Sequence, residues 1–370
     1  MASGDSTRPN KRGRARADAS QAATAPAKLT PVMQQFADAK AQHPDAIVFF
    51  RLGDFYEMFF EDAVLASRLL NITLTSRNKE DPNSEPMAGV PHHAAHGYIA
   101  KLLAAGHKVA LCEQLADPSK VKGIVPRAVV RVITPGLVTD DEQLDARDNH
   151  YLAAVEEGAV ALLDLSTGEL LAGHAPDTTS IVAELCRAAP AEILLAPAMH
   201  TLRATLALTL PSSVVRLEQA LPAAPDAVLN AELGAEVASD AASALSPLER
   251  TAAARAVAFA AACAHGTRLP IRRVGSLDLT ARAQIDETAL AHLEIVRAAD
   301  GGRRGSLLDA VDRTVTAGGA RLLKRRLLSP LTEVGAIRSR LDDVETFVFT
   351  RVRSEVRTGL ARVPDLDGWR

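Results

Sequence analysis

RLGDFYEMFFEDA (residues 51–63) begins at the end of the apolar run AIVFFRL (46–52) and places two aromatic residues between acids. The apolar run is typical of a buried strand. Asp54 then stands where a helix N-cap is expected. Apolar residues follow at helical spacing, at Met58, Phe59, Ala66, Leu69 and Leu70. The stretch predicts a strand-to-helix corner, and periodicity alone predicts that Phe55 lies in the core.

Strands and helices alternate around this corner. Thr30 and Pro31 are typical of an N-cap and a first-turn proline, and predict a helix to about His43. Further elements are predicted as strands at ITLTS (72–76), KVALCEQL (108–115) and AVVRVITP (128–135), a polar loop at RNKEDPNSEP (77–86), and a helix over 93–105 that ends at Gly106. This pattern predicts a mixed α/β domain over residues 29–139.

The acidic, polar stretch TDDEQLDARDNH (139–150) is typical of a domain boundary. Beyond it, successive strands over 151–174, a helix at TTSIVAELCRAA (178–189) and a strand at EILLA (192–196) predict a second α/β domain over 140–266. The pattern over 267–370 is helical, and a long helical stretch runs from Thr332 towards Leu360. We expect this last part to be an all-α unit.

Composition is that of a soluble globular protein, with 47% apolar and 24% charged residues in 370. This length allows two or three domains. No run approaches the length of a membrane span, and the start lacks an apolar signal core. Cys112, Cys186 and Cys263 are too widely spaced for a disulfide framework or a thiolate metal site, so we expect a reducing cytoplasm.

Charge is unevenly distributed along the chain. The net charge is −3, but residues 1–28 hold six Lys/Arg and two Asp, a surplus of +4 that leaves −7 for the remainder. The aperiodic, Ala- and Pro-rich segment 1–28 is expected to be a disordered basic tail. Because the rest is acidic overall, a nucleic-acid site must be a local patch.

Two groups of residues are open to a metal-site interpretation. The acids Asp54, Glu57, Glu61 and Asp62 fit a metal-dependent nuclease, but acids also favour the positive end of a helix dipole. His92 and His96 have the i, i+4 spacing of helical metal ligands, but no third ligand or HExxH glutamate accompanies them. In both cases the sequence favours polar residues at the start of a helix over metal ligands.

Two basic stretches are open to a phosphate-binding interpretation. DGGRRGS (300–306) is Gly-rich but lacks the GxxxxGK[ST] spacing, so a loop before a helix is favoured. ARLLKRRLL (320–328) places Arg321, Lys324, Arg325 and Arg326 on or near one helical face. Such a face is usually solvated and suggests DNA only weakly.

Several stretches together resemble the MutS family. TPVMQQFADAKAQHPDAIVFFRLGDFYEMFFEDA, EPMAGVPHHA, VALCEQLADP and VVRVITPG resemble its N-terminal mismatch-recognition domain. LLDLSTGEL and PAEILL resemble its connector domain, which implies an RNase H-like fold. LDLTARAQIDETALAHLEIV, GSLLDAVDRTVTAGGARLLKRRLLSPL and VPDL resemble the start of its helical core. The resemblance covers about residues 29–367 in the family's order.

The resemblance implies a DNA mismatch-binding role for the GDFYE segment. Phe55 is expected to stack on a mispaired base from the minor groove, and Glu57 to hydrogen-bond that base. Glu57 also repels ordinary duplex, and desolvation and phosphates favour its protonated form at a mispair. Arg77 and Met87, the latter within the Pro86–Ala88 loop, match family positions near the DNA and are expected to position its backbone.

The family also has a DNA clamp and a dimeric ATPase, and the sequence contains no Walker A pattern. We therefore expect a binding module that ends before these parts, with no enzyme activity and no cofactor of its own, since ATP and Mg belong to the ATPase domain. The expected partners are mismatched double-stranded DNA and, as in the full-length family, a second subunit and MutL; no membrane partner is expected. The expected location is the bacterial cytosol and nucleoid. An inert fragment and, more distantly, a structure-specific nuclease are the alternatives.

Overall fold

The computed structural model describes residues 29–76, 85–117, 120–139, 144–279, 282–283, 285–349 and 352–365. The expected basic tail, Arg77 and most of the predicted loop 77–86 lie outside these residues. The first unit contains six strands, β1 (Ala46–Leu52), β2 (Phe55–Phe59), β3 (Thr75–Ser76), β4 (Pro86–Pro91), β5 (Lys108–Gln114) and β6 (Arg127–Ile133). Its α-helices are α1 (Pro31–Gln42), α2 (Phe60–Leu70) and α3 (Ala95–Ala104).

The six strands form one mixed sheet in the order β3-β4-β2-β1-β5-β6. Among the strands of the described residues, only the β1–β5 pair of this sheet is parallel. One face packs on α1, where Phe36 makes edge-on contacts with Phe50 and Phe59 at 5.8 and 5.1 Å between ring centroids. We call this the α1 face. The other face buries Phe49, Tyr56 and Met58 against α2 and α3.

The predicted strand-to-helix corner is wrong in one respect, because β1 is followed by a second strand and not by a helix. Gly53 and Asp54 form a two-residue loop in which Gly53 has a φ of 59°, and Leu52 pairs with Phe55 across the hairpin. Glycine at the first loop position gives a turn whose twist matches the two strands. Asp54 is therefore a turn residue, and α2 begins at Phe60 without a side-chain cap.

Two smaller predictions in this unit also need correction. The strand predicted at ITLTS is reduced to Thr75–Ser76, which pairs with Pro86 and Met87. Pro86–Ala88, expected in a loop, begins strand β4, because Met87 and Ala88 pair with Phe59 and Met58. The predicted α1 is confirmed: the Thr30 hydroxyl accepts a hydrogen bond from the Met33 amide at 3.4 Å.

The second unit is built on another six-stranded sheet. Its strands are β7 (Leu152–Glu156), β8 (Ala159–Asp164), β9 (Glu169–His174), β10 (Glu192–Leu195), β11 (Val214–Leu217) and β12 (Arg273–Ser276), in the order β11-β10-β7-β8-β9-β12. Its helices are α4 (Thr178–Ala188), α5 (Leu202–Thr209), α6 (Pro225–Glu232), α7 (Ala235–Ala244) and α8 (Pro247–Ala264). One continuous hydrophobic core joins α1, α8 and strands of both sheets.

The expectation of an all-α unit from residue 267 onwards is wrong at its start. Residues 273–276 form β12, which pairs in parallel with β9. The close approach depends on small residues of β9 and the turn before it. A Cβ atom on Gly173 would lie 2.5 Å from the Leu277 carbonyl oxygen, and one on Gly168 would lie 2.4 Å from that of Pro270. Glycines in or next to strands often mark such contacts.

The remaining helices are α9 (Glu287–His292), α10 (Leu307–Val311), α11 (Ala317–Leu328), α12 (Val334–Phe349) and α13 (Val352–Leu360). The long helical stretch predicted from Thr332 thus corresponds to α12 and α13. No described residue of these two helices is buried. Their apolar side chains, including Leu341 and Val344, are exposed.

Candidate nucleic-acid interface

Phe55 and Glu57 lie on the same side of β2, because successive side chains in a strand point to opposite faces. Both belong to the α1 face, since Glu57 pairs with Phe50 and Phe55 pairs with Leu52. Phe59 and Phe50 on this face are buried and contact Phe36 of α1, but Phe55 lies at the hairpin end and is 47% exposed. The core position that helical periodicity predicted for Phe55 is therefore wrong.

The opposite side of β2 anchors these two residues. Tyr56 is buried, stacks at a tilt on Phe49, and donates its hydroxyl hydrogen bond to the Glu113 carboxylate. Burial and then the Glu113 carboxylate raise the pKa of Tyr56 well above its usual value. Because its hydroxyl remains protonated, the hydrogen bond to Glu113 of β5 is maintained on the side of β2 opposite Phe55 and Glu57.

The loop at the end of the hairpin is held from two directions. The Arg51 guanidinium donates to the Gly53 carbonyl at 2.6 Å, and the His92 amide donates to the Asp54 carbonyl at 2.9 Å. His92 starts a short 3-10 helix ahead of α3, as favoured in the sequence. The PHHAAHG stretch therefore supports the hairpin, and no metal-binding group of three or more His, Cys, Asp or Glu is found in the described parts of the chain.

Arg127 is a basic residue of this face that sequence reasoning missed. Its guanidinium lies 5.2 Å from the centroid of the Phe50 ring and donates to the Arg51 carbonyl at 2.7 Å. Burial lowers the pKa of Arg127 from its usual value. No motif pointed to it, because its position beside Phe50 depends on the pairing of β5 with β6 and of β5 with β1.

The acids of the predicted nuclease site do not converge. Asp62 is buried and accepts hydrogen bonds from the Lys40 ammonium at 2.7 Å and the Val48 amide at 2.9 Å. Asp54 lies in the hairpin loop, Glu57 on the α1 face and Glu61 on the exposed side of α2. Their separation follows from the strand β2, which places residues that would share a helix face on different surfaces.

Met87 lies on the α1 face, half-buried, two residues from Gly89 along β4. Gly89 pairs directly with Glu57. Arg77, the other residue expected near DNA, lies outside the described residues. Of the four predicted site residues, the structure thus brings Phe55, Glu57 and Met87 together on one face.

The DGGRRGS loop does not fit a phosphate. The Gly302 amide donates to the Asp300 carboxylate at 2.8 Å, and Arg303 pairs with Asp312. Ser306 caps α10 by accepting a hydrogen bond from the Asp309 amide. The Gly302 amide and the Arg303 guanidinium thus already have acceptors within the chain, and the stretch is the loop before a helix that the sequence favoured.

Three of the four basic residues of α11 make ion pairs, which its spacing did not suggest, while Arg326 is exposed as expected. Arg321 is buried and makes a two-pronged ion pair with Asp365, with both nitrogen–oxygen distances at 2.8 Å. Lys324 pairs with Asp148 at 2.6 Å, and Arg325 with Glu169 at 3.1 Å. These charges join α11 to the acidic stretch 139–150 and to β9. Their pairing partners are distant in sequence, so helical spacing alone did not identify them.

Comparison with known proteins identifies all three parts of the chain. Family models match residues 30–142 as MutS domain I, 150–260 as MutS domain II and 288–368 as MutS domain III. The chain therefore belongs to the MutS family.

Curated relatives agree with this assignment. The chain is 57% identical over 356 residues to the DNA mismatch repair protein MutS of Sorangium cellulosum (strain So ce56), covering 92% of this chain and 39% of that protein. It is 44% identical over 358 residues to MutS of Anaeromyxobacter sp. (strain Fw109-5), with coverage of 92% and 39%. For MutS of Nitrobacter hamburgensis, identity is 40% over 362 residues, with coverage of 93% and 40%.

The chain thus spans about two fifths of the length of these relatives. Within the described residues, none of the helices combines the length and the apolar character needed to cross a membrane.

Proposed function

We propose that this chain senses mismatches in double-stranded DNA as part of DNA mismatch repair. In this proposal Phe55 enters the minor groove at a mispair and stacks on a base, and Glu57 hydrogen-bonds that base. The observation that carries it is an aromatic ring that is 47% exposed beside a carboxylate, on a hairpin whose other side is buried. The names of the relatives support the same role.

The energetics favour a mispair over ordinary duplex. An apolar wedge separates base steps at a cost of a few kcal/mol, which is recovered when the bent duplex contacts more protein. A mispair is poorly stacked and deforms more easily, so the cost there is smaller. Since deformability and not one base pattern is recognised, many mismatches should be accepted.

Glu57 raises selectivity by disfavouring the binding of matched duplex. Its negative charge repels the phosphates that line an intact groove. At a mispair, desolvation and the same phosphates favour the protonated carboxyl, which then donates a hydrogen bond to an acceptor nitrogen. Arg77 and Met87 are proposed to position the DNA backbone beside this pair.

The other assignments are proposals of the same kind. The second unit has three antiparallel strands, β7 to β9, with β10 and β11 parallel to β7, which supports the RNase H-like connector. We propose that a protein of the relatives' full length forms dimers and recruits MutL. We propose that ATP and Mg bind to the part of such a protein that this chain does not span. We propose that the chain itself is a DNA-binding module of the bacterial cytosol, without ATPase activity.

The proposal is tested by measuring the affinities of the chain and of Phe55→Ala for matched and single-mismatch duplexes of equal length. We expect the wild-type chain to prefer the mismatch and Phe55→Ala to lose that preference. Its thermal stability should change little, whereas deletion of a buried aromatic side chain costs about 3–5 kcal/mol. Phe349→Ala, at an aromatic residue 79% exposed on α12, is the matched control.

Three results would contradict parts of the proposal. A large loss of stability in Phe55→Ala would make Phe55 a packing residue. An unchanged mismatch preference would remove its role as a wedge. If the wild-type chain shows no preference for a mismatch, the chain is an inert fragment with respect to recognition.

A further inference from the structure

Gly89 forms a gap in the row of side chains beside Phe55 and Glu57. It is an exposed residue of β4, and on the same face Met87 and Pro91 flank it at two residues on either side. A Cβ atom on Gly89 would lie 3.6 Å from Cγ of Glu57 and 3.9 Å from Cδ1 of Phe55. The bare backbone of Gly89 is thus the floor between the aromatic ring and the carboxylate stem.

Folding does not require a glycine at this position. Gly89 lies in a strand, and its φ is outside the left-handed region that favours glycine. The closest atom to an added Cβ would be the Tyr56 carbonyl oxygen at 3.5 Å, an ordinary van der Waals distance. Glycine inside a strand lowers stability relative to alanine, because the unfolded chain has more freedom to lose. The fold therefore gives no reason for Gly89.

We propose that Gly89 is a specificity-determining residue, whose missing side chain lets a nucleotide at the mispair approach the strand between Phe55 and Glu57. This inference rests on the proposed mismatch-binding function. One edge of the Phe55 ring lies beside Gly89. When the whole ring enters the groove, the sugar or base next to it therefore comes against the Gly89 backbone. Glycine in a strand commonly marks such a close approach.

A methyl group at Gly89 would occupy the space that the nucleotide needs. The ring would then enter the groove less deeply, and the contact of Glu57 with the base would lengthen. Matched duplex is not wedged open, so its binding does not depend on this depth. The substitution should therefore reduce the mismatch preference selectively.

The experiment compares the wild-type chain with Gly89→Ala and Gly89→Val in thermal melts and in titrations with matched and mismatched duplex. We expect melting temperatures that are unchanged or raised. We expect affinity for the mismatch to fall by roughly tenfold for alanine, the loss of about one base–aromatic contact, and further for valine. Gly97→Ala is the matched control, because Gly97 is exposed on α3 with no atom within 4 Å of an added Cβ. It should leave binding unchanged.

Each outcome distinguishes the inference from the function on which it rests. If the wild-type chain and Gly97→Ala prefer the mismatch and Gly89→Ala does so equally, the role of Gly89 is refuted while the mismatch-binding function stands. A marked loss of stability in Gly89→Ala would assign the glycine to folding and would also refute it. If the wild-type chain shows no preference, the proposed function fails and the inference falls with it.

Discussion

At the scale of single residues, neighbouring aromatic side chains of the hairpin and α1 differ in their exposure to solvent. Phe36, Phe50 and Phe59 form one edge-to-face cluster and are fully buried. Phe55 lies on the same face of the sheet and is half exposed. The difference is its place at the end of the hairpin, beyond the reach of α1. A ring held there by buried neighbours can contact another molecule without rearrangement of the core.

Glu57→Gln tests the electrostatic part of the proposed function. The amide removes the repulsion of phosphates but retains hydrogen-bonding capacity. We therefore expect tighter binding of matched duplex and a smaller preference for a mismatch, measured as affinities at a fixed salt concentration. Glu157→Gln removes an equal charge from an exposed position in the second unit and is the control. Unchanged or weaker binding of matched duplex by Glu57→Gln would contradict the repulsion.

Sequence reasoning selected the residues of the proposed site but did not predict their geometry. The motif resemblance selected Phe55 and Glu57, while periodicity placed Phe55 in the core. The two conflict because a short apolar run fits a strand and a helix almost equally well. Gly53 was the signal that could have decided, since a glycine at the first position of a two-residue loop is typical of a hairpin. Arg127 had no such signal.

At the scale of elements, Asp62 joins three parts of the first unit. It lies on α2, pairs with Lys40 of α1 and accepts from the Val48 amide of β1. The pairing of β1 with β2 begins only at Phe50. The Val48 amide therefore donates to the Asp62 carboxylate and not to β2. This is a structural role for an acid that also fitted a metal site.

Asp62→Ala should lower the free energy of unfolding by about 2–4 kcal/mol, because it leaves the buried Val48 amide without its acceptor and the Lys40 ammonium without its carboxylate partner, with only the Ala46 carbonyl to accept from it. Denaturant titration or thermal melting measures the loss. Glu61→Ala, next to it but exposed, should change stability by less than about 0.5 kcal/mol. Equal effects of the two substitutions would contradict the role of Asp62.

The end of α1 meets the end of α8 through a pair of histidines. The rings of His43 and His265 lie 5.0 Å apart, with Asp45 and Lys108 nearby, and Nε2 of His43 is buried without a hydrogen-bond partner. Burial, and then the charge of His265, lowers the pKa of His43 below 6.5. Protonation of His43 is therefore unfavourable in the folded chain.

The stability of the folded chain should therefore depend on pH. As pH falls, the unfolded chain takes up the proton first, so the stabilisation is complete above pH 6.5 and is lost as pH falls through the lowered pKa. We expect the melting temperature of the wild-type chain to fall more steeply below pH 6.5 than that of His43→Phe, which keeps a ring against His265. His107, whose pKa is also lowered, is present in both proteins and cancels. Parallel curves would refute the prediction.

The elements themselves were predicted to different degrees. α1 was confirmed because its cap and its proline are both local signals. α8 was missed, although Ser246 and Glu249 form a capping box that the spacing S-x-x-E could have indicated. β12 could not be predicted, because four residues without alternation form a strand only when β9 offers its edge.

At the scale of the whole molecule, charged residues add to the hydrophobic core that joins the two units. Buried Glu192 of β10 accepts from Thr134, from the Gly136 amide at 3.0 Å, and from Arg216. Arg216 also donates to the Gly106 carbonyl of the first unit at 3.2 Å. Through these contacts the first unit is attached to the second, while α11 is joined by its own ion pairs to Asp148 of the acidic stretch 139–150 and to Glu169 of β9.

The helices α12 and α13 differ from the rest of the chain because none of their described residues is buried. Val334, Ile337, Leu341, Val344 and Val348 of α12 recur at spacings of three and four residues and are all exposed. Helical stability in proteins comes mainly from packing such a face. No described residue buries this apolar face, so its packing contributes little to the stability of the first unit, which carries the proposed DNA site.

Charge over the whole chain sets the last prediction. Residues 1–28 carry a surplus of +4 and the remainder carries −7, so the proposed DNA face lies on an acidic protein. We expect weak DNA binding that is lost steeply as salt rises, since each phosphate contact contributes a slope of about −0.9 in log affinity against log salt. Deletion of residues 1–28 should weaken the binding of matched and mismatched duplex equally, and most at low salt, because phosphates are common to both. Replacing the six Lys/Arg of this segment with Gln, at unchanged length, is the control and should have the same effect as deletion. A change in the ratio of mismatched to matched affinity, or tight binding that resists salt, would show that recognition does not reside in the hairpin alone.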